Sequence, residues 1–240
     1  MSNYKGEFIK VFNGLSHSRN SNQVWNDLID CMAISISNAL DKVHYTEREK
    51  LYMECAGRLD YSDEMGHALA LIVEALDQNP NQDFLGVVYG ELGLLTSKKG
   101  QFFTPISVSR LMSDMQLADA KDKIEEKGYI VINDPSCGAG ATLIAAANTL
   151  REMGVNYQTS VLFTGNDIDP VVAKMCYIQL SLLGCPGYIA VANTLTDPVA
   201  GDLLMPVEKD TQDFWFTPMY CSDIWVMRRK CRVMDNFLRS

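Results

Sequence analysis

The chain has 240 residues, of which 47% are apolar and 21% charged, and its formal net charge is −9. This length suits one α/β domain with a smaller additional region, and the composition is typical of soluble globular proteins. No apolar run is long enough to span a membrane, and the first residues lack the apolar core of a signal peptide. The acidic balance argues against a protein that binds nucleic acid unaided, although residues 228–240 hold five basic residues and one acid.

The cysteine pattern indicates a reducing compartment. The seven cysteines are an odd number with no C-x-x-C pair, and the three histidines are scattered. We therefore predict neither a disulfide framework nor a zinc site, and we expect a cytoplasmic protein with reduced thiols.

Residues 1–98 have the periodicity of helices. One apolar stripe comprises Trp25, Leu28, Ile29, Met32, Ile36 and Leu40. Further helices are predicted to begin near Thr46, which resembles an N-terminal cap, and to cover 64–76, 82–96 and 106–116. We expect these stripes to form a core, and we expect the charged segment 119–128 to be a solvated helix or loop.

From residue 129 the pattern alternates between strand and helix. Strands are predicted at 129–134, 160–166 and 187–192, with helices at 139–153 and 170–183, and a fourth apolar run covers 214–216. Repeated βα units predict a parallel sheet with helices on its faces. The fold class is therefore α/β, with an N-terminal helical region at 1–98 and a ligand-binding domain at 99–240.

A glycine-rich turn follows the first predicted strand. Gly138 and Gly140 allow close approach of a ligand to the backbone, and the next helix offers free N–H groups. A dinucleotide fingerprint would need a third glycine, where this chain has Leu143. Asp134 would repel a pyrophosphate but suits an ammonium group, which favours S-adenosylmethionine over NAD. The alternative is a turn that only tightens a strand–helix corner.

Two further polar positions end the next strands. Asp167 follows the second strand, where an acid in a nucleotide-binding sheet holds ribose hydroxyls. Asp169 and Pro170 suit the capped start of a helix. Asn193 ends the third strand, and its amide can both donate to and accept from an adenine edge.

Three motifs in this order resemble adenine-specific DNA methyltransferases, in particular the modification subunits of type I restriction-modification systems. They are GQFFTPISVSRLM (100–112), INDPSCGAGATLIAAA (132–147) and GNDIDPVVAKMCYIQLSLLG (165–184), and DFLGVVYGEL (83–92) resembles the helical segment before them. The resemblance covers roughly residues 80–195. It implies a Rossmann-like sheet that binds S-adenosylmethionine.

The resemblance also implies roles for individual residues. The first cofactor motif, at the methionine end, corresponds to Gln101, Phe103, Thr104 and Pro105. The main cofactor loop corresponds to Asp134 and to Cys137, Gly138, Ala139, Gly140 and Ala141. Asp167 would bind ribose, Ile168 would lie against the adenine ring, and Asn193 would lie near the adenine amino group.

The catalytic tetrapeptide of such enzymes, Asn or Asp followed by Pro-Pro and Tyr or Phe, is absent from the sequence. That motif accepts hydrogen bonds from the amine of a flipped adenine and stacks on the base. After the fourth apolar run the chain has Thr217, Pro218, Met219 and Tyr220, which we interpret as a degenerate form. Loss of a well-placed acceptor predicts a rate lower by about two powers of ten or more.

After Tyr220 only 20 residues remain, which cannot supply the three further strands of a complete methyltransferase sheet. We therefore expect a sheet that is incomplete at its C-terminal end, with an edge covered by the basic tail, another subunit or a second copy.

Three functions stay open from the sequence. The chain is either an enzyme that methylates adenine N6 in DNA, with specificity supplied by a partner subunit or second chain, or a binding subunit that has lost catalysis. The third possibility, a small-molecule methyltransferase or another nucleotide binder, is disfavoured by the three motifs. A homo- or hetero-oligomer is expected, with no membrane association.

Overall fold

The structure, a computed structural model, describes residues 3–94 and 103–239. Helices before the first strand are α1 (Tyr4–Leu15), α2 (Ser21–Asn38), α3 (Tyr45–Arg58), α4 (Glu64–Gln78), α5 (Phe84–Glu91), α6 (Ile106–Gln116) and α7 (Ala120–Lys127). The elements that follow are β1 (Ile130–Asp134), α8 (Ala141–Glu152), α9 (Tyr157–Ser160), β2 (Val161–Asp167), α10 (Pro170–Leu182), β3 (Gly187–Val191), β4 (Ala200–Asp202), β5 (Met205–Val207), β6 (Asp213–Phe216), a 3₁₀ helix (Pro218–Cys221) and α11 (Asp223–Arg239). No helix in the described ranges is long and apolar enough to cross a membrane.

The N-terminal helices pack through aromatic side chains. Trp25 is fully buried, and its ring lies 5.6 Å from Phe12 and 5.4 Å from Tyr89 between centroids. Phe8 meets Phe84 edge to face at 5.6 Å. These contacts join α1, α2 and α5, so the predicted stripe does form a core, except that Leu40 at its end is 48% exposed.

Some helix boundaries differ from the predictions. Thr46 lies inside α3, and the capping position belongs to His44, whose backbone N–H donates to Asp41. α5 ends at Glu91, earlier than the predicted end at residue 96, which lies outside the described residues. The predicted cap at Asp169 is confirmed, because its carboxylate accepts from Val171 N at 2.9 Å and Pro170 begins α10.

The main sheet has the order β1-β2-β3-β6, and its first three strands are parallel. Asp134 is in register with Gly165, and Asp167 with Val191. The carboxyl ends of these three strands therefore meet at one edge of the sheet, as the alternating pattern predicts.

The fourth apolar run forms a strand that departs from the parallel arrangement of the first three. β6 runs antiparallel to β3, with Phe216 opposite Tyr188 and Asp213 opposite Val191. The connection from β3 to β6 contains only the β4–β5 hairpin, whereas a parallel strand needs a crossover that is usually a helix. The chain consequently turns back beside β3 and ends β6 at the amino-terminal edge of the parallel strands.

The helical region and the sheet share one core. α10 is buried along most of its length and lies between β2 and β3 on one side and α2 and α5 on the other. One continuous cluster of buried apolar side chains includes residues of both parts, from Phe8 in α1 to Trp215 in β6. The predicted boundary at residues 98 and 99 lies outside the described residues, so it stays a prediction.

A buried guanidinium fixes the helical region to the sheet edge. Arg48 of α3 donates to Phe214 O at 2.6 Å and to Asp213 at 3.1 Å, both in β6. It also donates to Ser37 and Asp41, and it stacks 4.0 Å from the Trp215 ring centroid. Burial would raise the pKa of Asp41, but hydrogen bonds from His44 and the charge of Arg48 hold it below its usual value.

We expect Arg48→Met to lower the free energy of unfolding by about 3 kcal/mol or more, because it removes the positive charge that pairs with the Asp41 carboxylate and leaves the buried carbonyl of Phe214 without this donor. Urea unfolding measures this change. The control is Lys50→Met on the exposed face of α3, which should stay within about 0.5 kcal/mol of wild type. Equal stability of the two variants would contradict the role assigned to Arg48.

Candidate functional site

The loop between β1 and α8 requires glycine at two positions. Gly138 has φ +52° and Gly140 has φ +101°, a region that side chains rarely adopt. A β-carbon on Gly140 would lie 2.7 Å from Cys176 Sγ, and one on Gly138 would lie 3.3 Å from the Phe103 ring. The loop is thus held between α10 and Phe103. Its last residue, Gly140, has no side chain, so the first turn of α8 has no side-chain cap.

Asp134 lies at the carboxyl end of β1. Its carboxylate accepts from Ser136 N at 3.0 Å and from the Thr142 hydroxyl. Both donors belong to the loop and the first turn of α8, so the carboxylate faces the cavity described below.

Asp167 connects two of the predicted motifs. Its carboxylate accepts from Gly138 N at 2.9 Å and from Asp169 N at 2.9 Å. Burial raises the pKa of this carboxyl above its ordinary value, although these backbone hydrogen bonds lower it. The end of β2 is therefore bonded directly to the glycine loop.

Ile168 and Asn193 lie beside this junction. Ile168 is 69% exposed and lies between Asp167 and Asp169. Asn193 follows β3, and its side-chain oxygen accepts from Leu195 N and Thr196 N at 3.0 and 3.1 Å. The oxygen of Asn193 thus closes a turn, and its amide NH₂ is the group that could meet a ligand.

A cavity of about 400 Å³ lies between the glycine loop and α6. Its walls include the predicted residues Phe103, Thr104, Asp134, Cys137, Gly138, Ala139 and Ala141. Five predicted residues do not line the cavity: Pro105, Gly140, Asp167, Ile168 and Asn193. Asp167 is connected to the cavity wall by its hydrogen bond from Gly138 N. Gln101 lies outside the described residues. The structure therefore brings together most of the predicted cofactor residues.

Asp83 and Gln179 support the loop, and neither was predicted to do so. Gln179 of α10 is fully buried, and its amide nitrogen donates to Asp83 at 2.8 Å and to Ala139 O at 2.9 Å. Its oxygen accepts from Leu85 N at 3.1 Å. Asp83 caps α5 through Gly86 N and lines the cavity, and burial raises the pKa of its carboxyl. An acid before a helix signals such a cap in the sequence, but the link to Gln179, 96 residues away, leaves no local pattern.

The predicted catalytic segment lies elsewhere. Thr217, Pro218, Met219 and Tyr220 follow β6, so they lie at the amino-terminal edge of the parallel strands, opposite the edge that holds Asp134 and Asp167. The Thr217 hydroxyl donates to Cys185 O at 2.7 Å and accepts from Gly187 N at 3.0 Å.

The aromatic residue of this segment is also engaged. The Tyr220 hydroxyl donates to Leu204 O at 2.8 Å, and its ring stacks on Phe216 and lies under the Arg229 guanidinium. The structure does not bring these four residues to the cavity, and it uses their polar groups to close the end of the sheet. We assign them no catalytic role.

The basic segment 228–240 contacts the protein itself. Arg228 donates to Gly128 O and Thr159 O, and Arg229 donates to Tyr220 O. Arg232 donates to the Tyr129 hydroxyl and pairs with Asp202 at 3.3 Å. These three guanidinium groups anchor α11 across the amino-terminal edge of the sheet, so they do not form a free patch for DNA.

The family model described as N-6 DNA Methylase matches residues 82–233, which include the cavity and all the motifs above. The chain belongs to the N-6 DNA methylase family. This membership identifies S-adenosylmethionine as the cofactor class, in agreement with the chemistry expected from Asp134.

Two relatives of this chain are named methylases or methyltransferases, and the match covers a small part of each. The type I restriction enzyme MjaIX methylase subunit of Methanocaldococcus jannaschii is 27% identical over 110 residues, which are 46% of this chain and 17% of the relative. The type II methyltransferase M.MamI of Microbacterium ammoniaphilum is 31% identical over 106 residues, which are 41% of this chain and 29% of the relative. The similarity thus spans under a third of each relative.

Among solved structures, a Listeria monocytogenes protein assigned to the class I S-adenosylmethionine-dependent methyltransferases matches with a TM-score of 0.40 and 16% identity. The match covers 78% of this chain and 52% of that protein.

We expect Thr217→Val to lower the free energy of unfolding by about 1–3 kcal/mol, because it leaves buried backbone groups without a partner. The same variant should bind S-adenosylmethionine as wild type does, since Thr217 lies at the opposite edge of the sheet. Urea unfolding and calorimetry test the two statements. Thr46→Val, on the exposed face of α3, is the control and should change neither quantity. Loss of cofactor affinity in a folded Thr217→Val protein would contradict this placement.

Proposed function

We propose that this protein binds S-adenosylmethionine at the carboxyl ends of β1–β3 and serves in the methylation of adenine N6 in DNA. The observation that carries the proposal is the hydrogen bond from Gly138 N to Asp167, which joins the glycine loop to the acid after β2 beside the cavity. Family membership supplies the reaction class. Seven free cysteines support the cytoplasm as its compartment.

The methionine end of the cofactor fits the cavity wall. Asp134 offers a carboxylate for the ammonium group, and the uncapped first turn of α8 offers N–H groups and a partial positive charge for the carboxylate. Phe103 closes the opposite side against Gly138. These groups would hold the amino acid part by charge at both of its ends.

The nucleoside end fits the residues after β2 and β3. Asp167 would accept hydrogen bonds from ribose hydroxyls, and Ile168, already exposed, would be covered by the adenine ring. The NH₂ group of Asn193 would donate to the ring edge. S-adenosylmethionine, when bound, supplies an activated methyl group.

DNA would reach this site only with help from another component. The net charge of −9 disfavours contact with phosphates, and three arginines of α11 are bonded to the protein itself. We therefore propose that a specificity subunit or a second chain supplies DNA contacts.

A second candidate function is a cofactor-binding subunit without catalysis of its own. The placement of Thr217–Tyr220 at the opposite edge of the sheet favours it, because no segment resembling the adenine-binding tetrapeptide lies at the cavity in the described part of the chain.

The cofactor proposal predicts two different binding defects. Asp134→Asn should weaken S-adenosylmethionine about tenfold or more but hardly affect 5′-methylthioadenosine, which lacks the amino acid. Asp167→Asn should weaken both ligands, because both carry the ribose.

Isothermal titration with the two ligands measures these affinities, and circular dichroism confirms folding. Asp210→Asn, at an exposed acid away from the cavity, is the control and should bind as wild type does. A wild-type protein that binds neither ligand would sink the proposal, and equal effects of Asp134→Asn on both ligands would remove Asp134 from the methionine end.

Methyl transfer distinguishes the two candidate functions. The wild-type chain is incubated with labelled S-adenosylmethionine and adenine-rich duplex or single-stranded DNA, and N6-methyladenine is measured. Transfer by the chain alone supports the enzyme. Binding without transfer supports the subunit, and in that case we expect Thr217→Asn with Met219→Pro to restore nothing because of where the segment lies.

A further inference from the structure

We propose that α11 pairs with α11 of a second copy of this chain as a short parallel coiled coil. The face concerned is exposed and borders a groove beside Tyr129 and Leu204, and the pairing does not depend on cofactor binding or methyl transfer.

One face of α11 carries an apolar heptad seam that is open to solvent. It comprises Ile224, Met227, Cys231, Met234 and Leu238, spaced by three and four residues in alternation. Met227, Met234 and Leu238 are 57%, 64% and 77% exposed, and Phe237 beside them is 80% exposed. A row of large apolar side chains along one helix face marks a protein interface.

The side of α11 next to the seam holds the helix in place. Trp225 is fully buried and donates to Gln158 O at 2.8 Å, and Arg228 and Arg232 bond to groups just before β1. The seam is therefore presented by a helix anchored at its first turns, which reduces the ordering cost of pairing.

The charges that flank the seam suit a second copy in parallel orientation. The seam places Ile224, Cys231 and Leu238 at the a positions of the heptad. In a parallel pair, the residue just before an a position faces the residue five places later in the partner. Asp223 then faces Arg228 and Lys230 faces Asp235, so both pairs have opposite charge. Arg228 already bonds to its own chain, which leaves Lys230 and Asp235 as the pair that selects this orientation. An antiparallel pair that places Met227 against Cys231 would bring Lys230 of one chain close to Lys230 of the other, where the like charges repel.

A basic amphipathic helix can also lie on an anionic membrane surface. Here the arginines point to the protein, with Arg228, Arg229 and Arg232 bonded to backbone or side-chain oxygens. These three guanidinium groups are thus not free to meet lipid headgroups, which favours a protein partner.

Sedimentation of the full chain over a concentration series tests pairing. Wild type should shift from monomer to dimer, and Met234→Glu should remain monomeric with an unchanged helical signal. The matched control is Val233→Glu, at a neighbouring site that is also exposed but lies outside the seam, and it should dimerise as wild type does. A wild-type monomer at every concentration overturns the proposal, as does binding to anionic vesicles without dimerisation.

Cysteine cross-linking tests the orientation. Cys221 and Cys231 are the two exposed cysteines, so Cys221→Ser leaves Cys231 as the accessible thiol. In a parallel pair the two copies of Cys231 face each other, and diamide, which accepts the two electrons and two protons, should join them as a disulfide.

A second position separates parallel from antiparallel pairing. Leu238→Cys in a chain that also carries Cys221→Ser and Cys231→Ser should cross-link equally well in a parallel pair. In the antiparallel pair with Met227 against Cys231, the two residues at 238 lie at opposite ends, about 27 Å apart for roughly 18 residues of helix, and cannot join. Cross-linking at 231 without cross-linking at 238 overturns the parallel arrangement.

Discussion

A single buried amide, that of Gln179, connects the parts on which the cofactor site depends. It joins Asp83 and Leu85 at the start of α5 to the carbonyl of Ala139 in the glycine loop, and all three of its hydrogen bonds are made within the protein. A buried polar group of this kind is stable only when every partner is in place. The helical region therefore acts as a support for the loop, and the glycine conformations at 138 and 140 can be maintained without a ligand.

Buried charged groups connect the helical region to the sheet and to α10 in a similar way. Arg48 reaches from α3 into β6, and Lys174 of α10 pairs with Asp30 of α2 within a largely buried setting. Buried charges contribute little net stability when compared with apolar packing, but each is costly to leave unpaired. Such pairs fix one arrangement of helices on the sheet, which explains why a region predicted as separate shares the core of the cofactor domain.

The sequence predicts the cofactor half of this protein well because that half is encoded locally. The elements of this half are consecutive in the chain, from β1 and the glycine loop to α10. Its special residues act on the adjacent backbone: Gly138 and Gly140 adopt positive φ angles, and Asp169 caps α10. The direction of β6 has no such local signal. An apolar run predicts a strand, but it predicts neither the neighbouring strand nor the direction of pairing. The run just before Thr217 forms β6, which is antiparallel to β3. Gln179 and Arg48 were missed for a related reason, since the partners of Gln179 at the start of α5 and those of Arg48 in β6 lie 94 to 166 residues away.

The direction of β6 also limits what the described chain can do by itself. Methyl transfer needs an acceptor nitrogen held within about 3–3.5 Å of the methyl group, so the acceptor must be bound at the carboxyl ends of β1–β3. β6 ends at the other edge, and no described strand pairs with the outer side of β1, whose last residue is Asp134. An adenine that receives the methyl group would therefore have to be positioned from the open side of β1. The chain is acidic, and Arg228, Arg229 and Arg232 of α11 are engaged. Under the proposed function, that positioning is therefore a task for a more basic component. A dimer formed through α11 would leave this side of β1 open to such a component only if the two bodies lie on opposite sides of the helix pair.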